Sequence, residues 1–235
     1  MENWLQRTKT LLGEQAVARL QRAHIIIFGL GGVGSFAAEA LARCGVGELT
    51  IVDADTVSTS NINRQLYALH STVGQDKTEV AKKRILDINP DCIVHTRTAF
   101  YEPDKADEFF NVHYDFCVDA IDTVSAKLSL VEQCKKHNIP IIACMGTGNK
   151  LHAELLQISK LSKTNTCPLC RVMRRELKNR GLGDIPVVWS AEEPQHICAD
   201  DANGRHAPAS IAFVPPVAGF LLAEFVVLQL TQTNA

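Results

Sequence analysis

The sequence predicts an α/β fold: a doubly wound, Rossmann-like, mostly parallel sheet with a C-terminal mixed extension and a mobile loop. Three observations carry this. Short unbroken apolar runs, HIIIF at 24–28 above all, read as strands buried on both faces, as in parallel sheets. Segments of helical length separate these runs, and strand–helix alternation with right-handed crossovers is how parallel strands are joined. A glycine-rich stretch, Gly29-Leu30-Gly31-Gly32-Val33-Gly34, stands between the first such strand and a helix.

In chain order, residues 13–22 (GEQAVARLQR) place apolar groups at 16, 17 and 20, which makes a short helix. After the strand at 24–28 and the glycine stretch comes the Ala-rich helix SFAAEALARC. Residues 49–52 (LTIV) are a second buried strand, ending at Asp53. Residues 75–88 contain a charged helix stopped at Asn89-Pro90, because the residue before proline is biased away from helical backbone. Strands follow at 92–97, 116–120 and 139–144, with a helix over 124–137. Beyond Met145, MGTGNK is a glycine-rich turn, 153–158 a strand and 168–180 a basic helix closed by Gly181. Residues 181–210 hold many Gly, Pro and charged residues and read as a mobile loop or lid; Pro215 and Pro216 introduce an apolar helix over 217–230. The chain is expected to be one domain over 1–235: a core at 23–158, basic helix and lid at 160–210, and a C-terminal core helix at 215–231.

Composition narrows the function classes. With 235 residues, 46% hydrophobic and 21% charged, the chain is not disordered, collagen-like or coiled-coil. A net charge of −2 leaves no global basic field, so any nucleic-acid contact must come from a local patch. Aromatic residues at 6% argue against a stacking platform for single strands. Most of the eight cysteines lie inside apolar runs, and the opening MENWLQRTK has no charged start followed by an apolar stretch; no signal peptide is read, and a cytoplasmic location is expected. The apolar segment at 211–230 carries two prolines and Glu224, leaving an uninterrupted part of about 14 residues against the roughly 20 that span a bilayer. A buried core helix is expected there, with peripheral membrane association left open.

The glycine stretch permits positive φ and lets backbone N–H groups face a phosphate at a helix N-terminus. Asp53, 19 residues after Gly34 at the end of the next strand, suits ribose hydroxyls. The nucleotide is then NAD or ATP. ATP needs cations on its phosphates. Arg64 follows Asp53 by 11 residues and Lys77 by 24, and Asp122 follows a buried strand at the same sheet edge, where a carboxylate suits Mg²⁺. These favour ATP over an NAD-binding module.

Taken together, GLGGVGSFAAEALARCGVGELTIVDADTVSTSNINRQ, VGQDKTEVAKKRILDINP and CVDAIDT resemble the adenylating fold of the ubiquitin-activating enzymes and the bacterial adenylyltransferases for molybdopterin synthase and thiamine sulfur carriers. The resemblance is specific over about residues 7–145. It implies ATP, Mg²⁺ and an acyl-adenylate. It puts Asp53 on the ribose, Asn61, Arg64 and Lys77 at the phosphates and Asp122 on the metal. Gly29, Gly31, Gly32, Gly34, Asp55, Gln65 and Thr123 complete the expected nucleotide site. It also implies a homodimer in which Arg7 reaches the neighbouring site, so that Arg7, Arg64, Lys77 and Asp122 are the expected catalytic set.

The branch is read from the remainder. Cys167-Pro168-Leu169-Cys170 is one CxxC pair and there is no second, so the four-ligand zinc of the sulfur-carrier enzymes is not expected; His196, Cys198 and His206 are irregularly spaced. Cys198 is a candidate for a thioester. RTKTLLGEQAVARL, MGTGNKL, CPLCRVMRRELKNRG, WSAEEP and FVPPVAGFLLAEFVV resemble the tRNA threonylcarbamoyladenosine dehydratases, with His152-Ala153-Glu154 departing from the more usual Asp-Pro. That branch activates the threonyl carboxylate of a modified adenosine in tRNA and closes it to a cyclic form with loss of water. Residues 160–180 hold seven cations against Glu176 alone, and Lys163, Arg171, Arg174, Arg175, Lys178 and Arg180 are the expected tRNA contacts. The alternative is an adenylyltransferase for the C-terminal Gly-Gly of a ubiquitin-like sulfur carrier, in which case a sulfur-transfer protein is the partner. A monovalent cation and the residue that promotes ring closure stay open.

Overall fold

A computed structural model describes residues 4–195, 198–200 and 206–232. Helices α1 (Gln6–Leu12) and α2 (Glu14–Leu20) precede the sheet. Helix α2 answers the expected helix at 13–22. Helix α1 buries no residue, so the apolar periodicity by which a helix is read from sequence is missing there.

The core then alternates as expected: β1 (His24–Phe28), α3 (Gly34–Arg43), β2 (Glu48–Val52), α4 (Lys77–Ile88), β3 (Ile93–Arg97), β4 (Phe116–Asp119), α5 (Val124–Lys136) and β5 (Ile141–Cys144). Beyond it lie β6 (Leu156–Lys160), α6 (Pro168–Asn179), β7 (Pro186–Ser190), the hairpin β8 (Cys198–Asp200) and β9 (His206–Pro208), and α7 (Val214–Thr231). Seven strands form one sheet in the order β3-β2-β1-β4-β5-β7-β6, parallel except for β6, which runs antiparallel to β7. The chain moves outward from β1 through β2 to β3, then returns to pair β4 on the other side of β1. The crevice at the carboxyl ends of β1 and β4 is therefore the topological switch point, where ligands bind in such sheets.

Strand β7 corrects the reading of 181–210 as a loop throughout. Val187, Val188, Trp189 and Ser190 are buried, and the strand is inserted between β5 and β6. Its apolar run is only three residues long and is bracketed by Gly, Pro and acids, so the polar composition of the wider segment conceals it. The expected strand at 153–158 begins later, at Leu156, after a single 3₁₀ turn at Ala153–Leu155.

Helix α7 starts at Val214, ahead of the expected 217, because prolines fit a first helical turn whose N–H groups have no partner within the helix. It is 18 residues long with a mean hydropathy of 1.7, long and apolar enough to cross a membrane by composition. In the fold it packs on α3 and across the β5–β7–β6 end of the sheet, burying Val214, Ala218, Leu222 and Val226 while Glu224 stays exposed. It is a core helix. The opposite sheet face is covered by α5, α6 and a cluster containing Tyr101, Phe109, Phe110 and Tyr114.

Candidate active site

The glycine loop leaves the end of β1 with Gly29 at φ +88°. A Cβ on Gly29 would lie 2.8 Å from the Ala120 carbonyl oxygen, and one on Gly34 only 1.8 Å from the Gly29 carbonyl oxygen. The loop is thus folded so tightly, and so close to the end of β4, that only glycine fits either position. Gly31 faces open space, its nearest neighbour being the Gln65 amide at 3.8 Å. Asp53, at the end of β2, fastens the loop: its Oδ2 accepts the Leu30 N–H at 2.6 Å and its Oδ1 accepts the Asp55 N–H at 2.9 Å. The carboxylate that sequence spacing assigns to a ribose is also the anchor of the phosphate loop.

One cavity of about 560 Å³ opens over this loop, within the usual range for ligand sites. Gly29, Gly31 and Gly32 form its floor, with Asp53 and Asp55 on one wall. Asn61, Arg64, Gln65 and Lys77 also line it, as do Asp122 and Thr123 from the loop after β4. Eleven of the twelve residues expected at the nucleotide are thereby brought together. The twelfth, Gly34, does not line the cavity; it lies beneath the loop, where Gly29 and Ala120 press on it.

The cations are set differently. The Lys77 ammonium is buried between two carboxylates, 2.7 Å from Asp55 Oδ2 and 3.7 Å from Asp53 Oδ1. Arg64 is half-buried; its Nη1 donates to Ser60 O at 2.9 Å and Asn63 Oδ1 at 2.8 Å. Burial lowers the Arg64 pKa from its ordinary value, which starts so high that the group stays charged at neutral pH. Asp122 is exposed, its Oδ1 at 3.5 Å from the Thr123 hydroxyl.

Beneath Asp122 lies a pair that the sequence reading did not single out. Lys127 of α5 places its Nζ 2.9 Å from Asp119 Oδ1, and both side chains are wholly buried. The same Oδ1 accepts the Ile121 N–H at 3.2 Å, so the pair braces the turn that carries Asp122. Burial raises the Asp119 pKa against the pull of Lys127. The signal was the first acid of DAID, eight residues before Lys127, but α5 also carries Lys135 and Lys136 at its surface, and nothing local in the sequence tells its one buried cation from them.

The basic segment is only partly as expected. Lys163, Arg171, Arg175, Lys178 and Arg180 are exposed, with Arg175 paired to Glu176 at 3.0 Å and Arg180 3.8 Å from Glu132. Arg174 is set apart from them: it is half-buried, and its Nη1 donates to the Thr164 carbonyl at 2.8 Å and to the Thr164 hydroxyl, so it secures the loop before α6. Arg7 is exposed on α1 and does not line this cavity.

Cys167 caps α6. Its thiol is drawn down to about 5, first by a hydrogen bond from the Cys170 thiol and then by the Cys170 and Gly146 N–H groups, with the buried Lys150 ammonium adding to them. Cys170 is pushed up by that same shared proton. Among the described residues no third Cys, His or carboxylate converges on this pair. His196 and the side chains of Cys198 and His206 lie outside the described residues, so the thioester reading of Cys198 does too.

The ThiF family model matches residues 5–232. The chain belongs to the ThiF family. Its likeness to the family's tRNA threonylcarbamoyladenosine dehydratases spans nearly the whole length: it is 40% identical to the Bacillus subtilis (strain 168) protein of that name over 98% of this chain and 95% of the other. The Escherichia coli tRNA N6-threonylcarbamoyladenosine dehydratase TcdA, solved in complex with AMP, superposes with a TM-score of 0.89 at 35% identity, covering 98% and 96% of the two chains. The same E. coli protein in complex with ATP superposes with a TM-score of 0.87 at 34% identity over 98% and 96%. This ThiF member therefore falls with the dehydratases of the family. Two stretches that the sequence singled out without placing them at the nucleotide also line the cavity, the glycine-rich turn at Met145–Gly148 and Pro215 at the start of α7, together with residues it did not single out: Phe100 and Tyr101 after β3, and Pro208 and Ser210. Phe100, Tyr101, Pro208 and Ser210 lie outside every stretch that carried the resemblance.

Proposed function

We propose that this chain binds ATP in the cavity over the glycine loop, adenylates the threonyl carboxylate of threonylcarbamoyladenosine in tRNA, and closes the product to its cyclic form with net loss of water. The observation that carries the reading is the convergence of the glycine loop, Asp53, Arg64, Lys77 and Asp122 on one cavity at the switch point of the sheet. The ATP- and AMP-bound relatives of this fold support it.

A carboxylate and a triphosphate repel each other. Arg64 and Lys77 supply positive charge on the cavity wall, and the loop N–H groups add fixed dipoles. Lys77 is already held by Asp53 and Asp55, so it is pre-positioned, and its ammonium is less available to phosphate until a nucleotide competes with Asp55. The attacking carboxylate is ionised at neutral pH, so no general base is needed for the first step: its oxygen bonds to the α-phosphorus and pyrophosphate departs. An internal nucleophile then attacks the acyl carbon and AMP leaves. Positioning and electrostatics are what the site provides.

Asp122 fits a Mg²⁺ ion: it is an exposed carboxylate on the cavity wall, and Mg²⁺ is usually held by one or two carboxylates plus substrate phosphates. When bound there, the ion would neutralise phosphate charge. Lys163, Arg171, Arg175, Lys178 and Arg180 suit the tRNA backbone, and Arg7, unengaged by this chain's own cavity, suits the neighbouring site of a homodimer.

Incubation with ATP, Mg²⁺ and tRNA bearing threonylcarbamoyladenosine tests the reading. The expected products are AMP and a nucleoside lighter by one water. AMP without a change in nucleoside mass, or no AMP at all, overturns it.

A further inference from the structure

We propose that His24, Glu48 and His95 form a second, separate site for a divalent transition-metal ion of the zinc class, at the amino-terminal edge of the sheet. The residues belong to three adjacent parallel strands, and their register makes them neighbours. His24 pairs laterally with Glu48, and His95 pairs with Thr50, two residues along from Glu48 on the same face. The nucleotide cavity lies at the opposite, carboxyl ends of these strands.

The donor atoms already converge. Glu48 Oε1 lies 3.5 Å from His24 Nδ1 and 2.8 Å from His95 Nε2, and the three donors all lie within 4.8 Å of one another. Tetrahedral ligation at Zn–N and Zn–O bonds of about 2.0–2.1 Å separates ligand atoms by about 3.3 Å. Only small side-chain rotations are therefore needed. Two imidazoles and one carboxylate suit zinc, nickel or copper rather than magnesium. The fourth position falls to water, because His95 is 48% exposed.

The orientation of His24 is set from behind, as metal-binding histidines usually are. Its Nε2 lies 2.8 Å from the Thr50 hydroxyl, and Thr50 is buried. The Tyr114 ring stands edge-on at 4.7 Å, and the His24 N–H donates to Asp115 Oδ2 at 2.8 Å. With Nε2 engaged by Thr50, Nδ1 is the ring nitrogen that faces Glu48. A metal ion between them would take the neutral Nδ1 and the Glu48 oxygen as two of its ligands.

The test uses the full chain, stripped with a chelator and titrated with zinc chloride alone. Calorimetry should show one zinc per chain, and zinc should raise the melting temperature because it ties three strands of the folded state together. His95→Ala and Glu48→Gln should each weaken binding at least tenfold and remove the melting shift; the metal-free melting temperature of each shows that it is folded. Cobalt in place of zinc should show no thiolate charge-transfer band, which separates this site from Cys167 and Cys170. No saturable uptake by the wild-type chain, uptake unchanged in either variant, or a thiolate band would overturn the proposal.

Discussion

Replacing Lys127 by methionine removes one half of a wholly buried ion pair and tests what braces the turn bearing Asp122. The Asp119 carboxylate would keep one hydrogen bond, from the Ile121 N–H, while its Oδ2 already has no hydrogen-bond partner. At the observed 2.9 Å separation, the pair attraction is about 6 kcal/mol at an effective dielectric of 20, before desolvation is subtracted. Leaving a buried charge without its partner costs about 3–5 kcal/mol, against a typical domain stability of about 5–15 kcal/mol. Urea denaturation at neutral pH should show a loss of that size in Lys127→Met, and the double variant Asp119→Asn, Lys127→Met should recover most of it. The pH dependence has a definite sign. Burial already raises the Asp119 pKa, and losing Lys127 raises it further. A carboxyl whose folded pKa lies above its unfolded value binds more protons when folded, so stability falls as pH rises between the two. The penalty should therefore shrink at pH 5 relative to pH 7. A cost below about 1 kcal/mol at pH 7, or a penalty that grows on acidification, would refute the idea that Asp119 is charged and held by Lys127.

Three further outcomes are expected. Asp122→Ala should abolish AMP formation with the melting temperature unchanged, since the side chain is exposed; full turnover would contradict its assignment to the metal. Gly34→Ala should eliminate ATP-dependent thermal protection, because its Cβ would meet the Gly29 carbonyl at 1.8 Å, whereas Gly31→Ala, with nothing closer than 3.8 Å, should fold normally and lose affinity only through crowding of the nucleotide; equal effects would show that the loop moves freely. On α6, reversing Arg171 and Lys178 to glutamate should weaken tRNA binding and flatten its salt dependence, while Arg174→Ala should lower the melting temperature and leave the salt dependence unchanged, because Arg174 is held by Thr164; the converse pattern in binding assays would exchange their roles.

The nucleotide site was legible because its constraints are local. A loop that must pass within contact distance of Ala120 admits only glycine at 29 and 34, and strand ends fix where Asp53 and Asp122 emerge. Such requirements write themselves into short motifs. The parts that escaped reading are set by tertiary packing. Val187 and Val188 become a central strand because β5 leaves an edge for them, despite a polar neighbourhood that reads as loop. Arg174 and Lys127 resemble solvated helix charges until a partner from another segment, Thr164 or Asp119, is placed against them. The walls from Phe100, Tyr101 and Ser210 have no signature because they contribute shape rather than charge.

The C-terminal helix shows how such shape reaches the chemistry. Gly219 of α7 lies so close to α3 that a Cβ would sit 2.3 Å from the Val33 carbonyl and 3.0 Å from the Ala37 nitrogen. Val33 is part of the glycine loop, and Pro215, one turn earlier on α7, lines the cavity within 3.0 Å of where a Cβ on Gly32 would stand. A methyl group at 219 must therefore push apart the helices that support the loop from below and close it from the side. Overpacking of this kind costs about 1–3 kcal/mol. Gly219→Ala should lower the melting temperature and also shrink the ATP-dependent shift, although the residue does not line the cavity. Leu228→Ala, on the exposed face of the same helix, should do neither. If Gly219→Ala loses stability but keeps the full ATP shift, then the loop is held by Asp53 and its own glycines alone, and α7 serves the core without shaping the site.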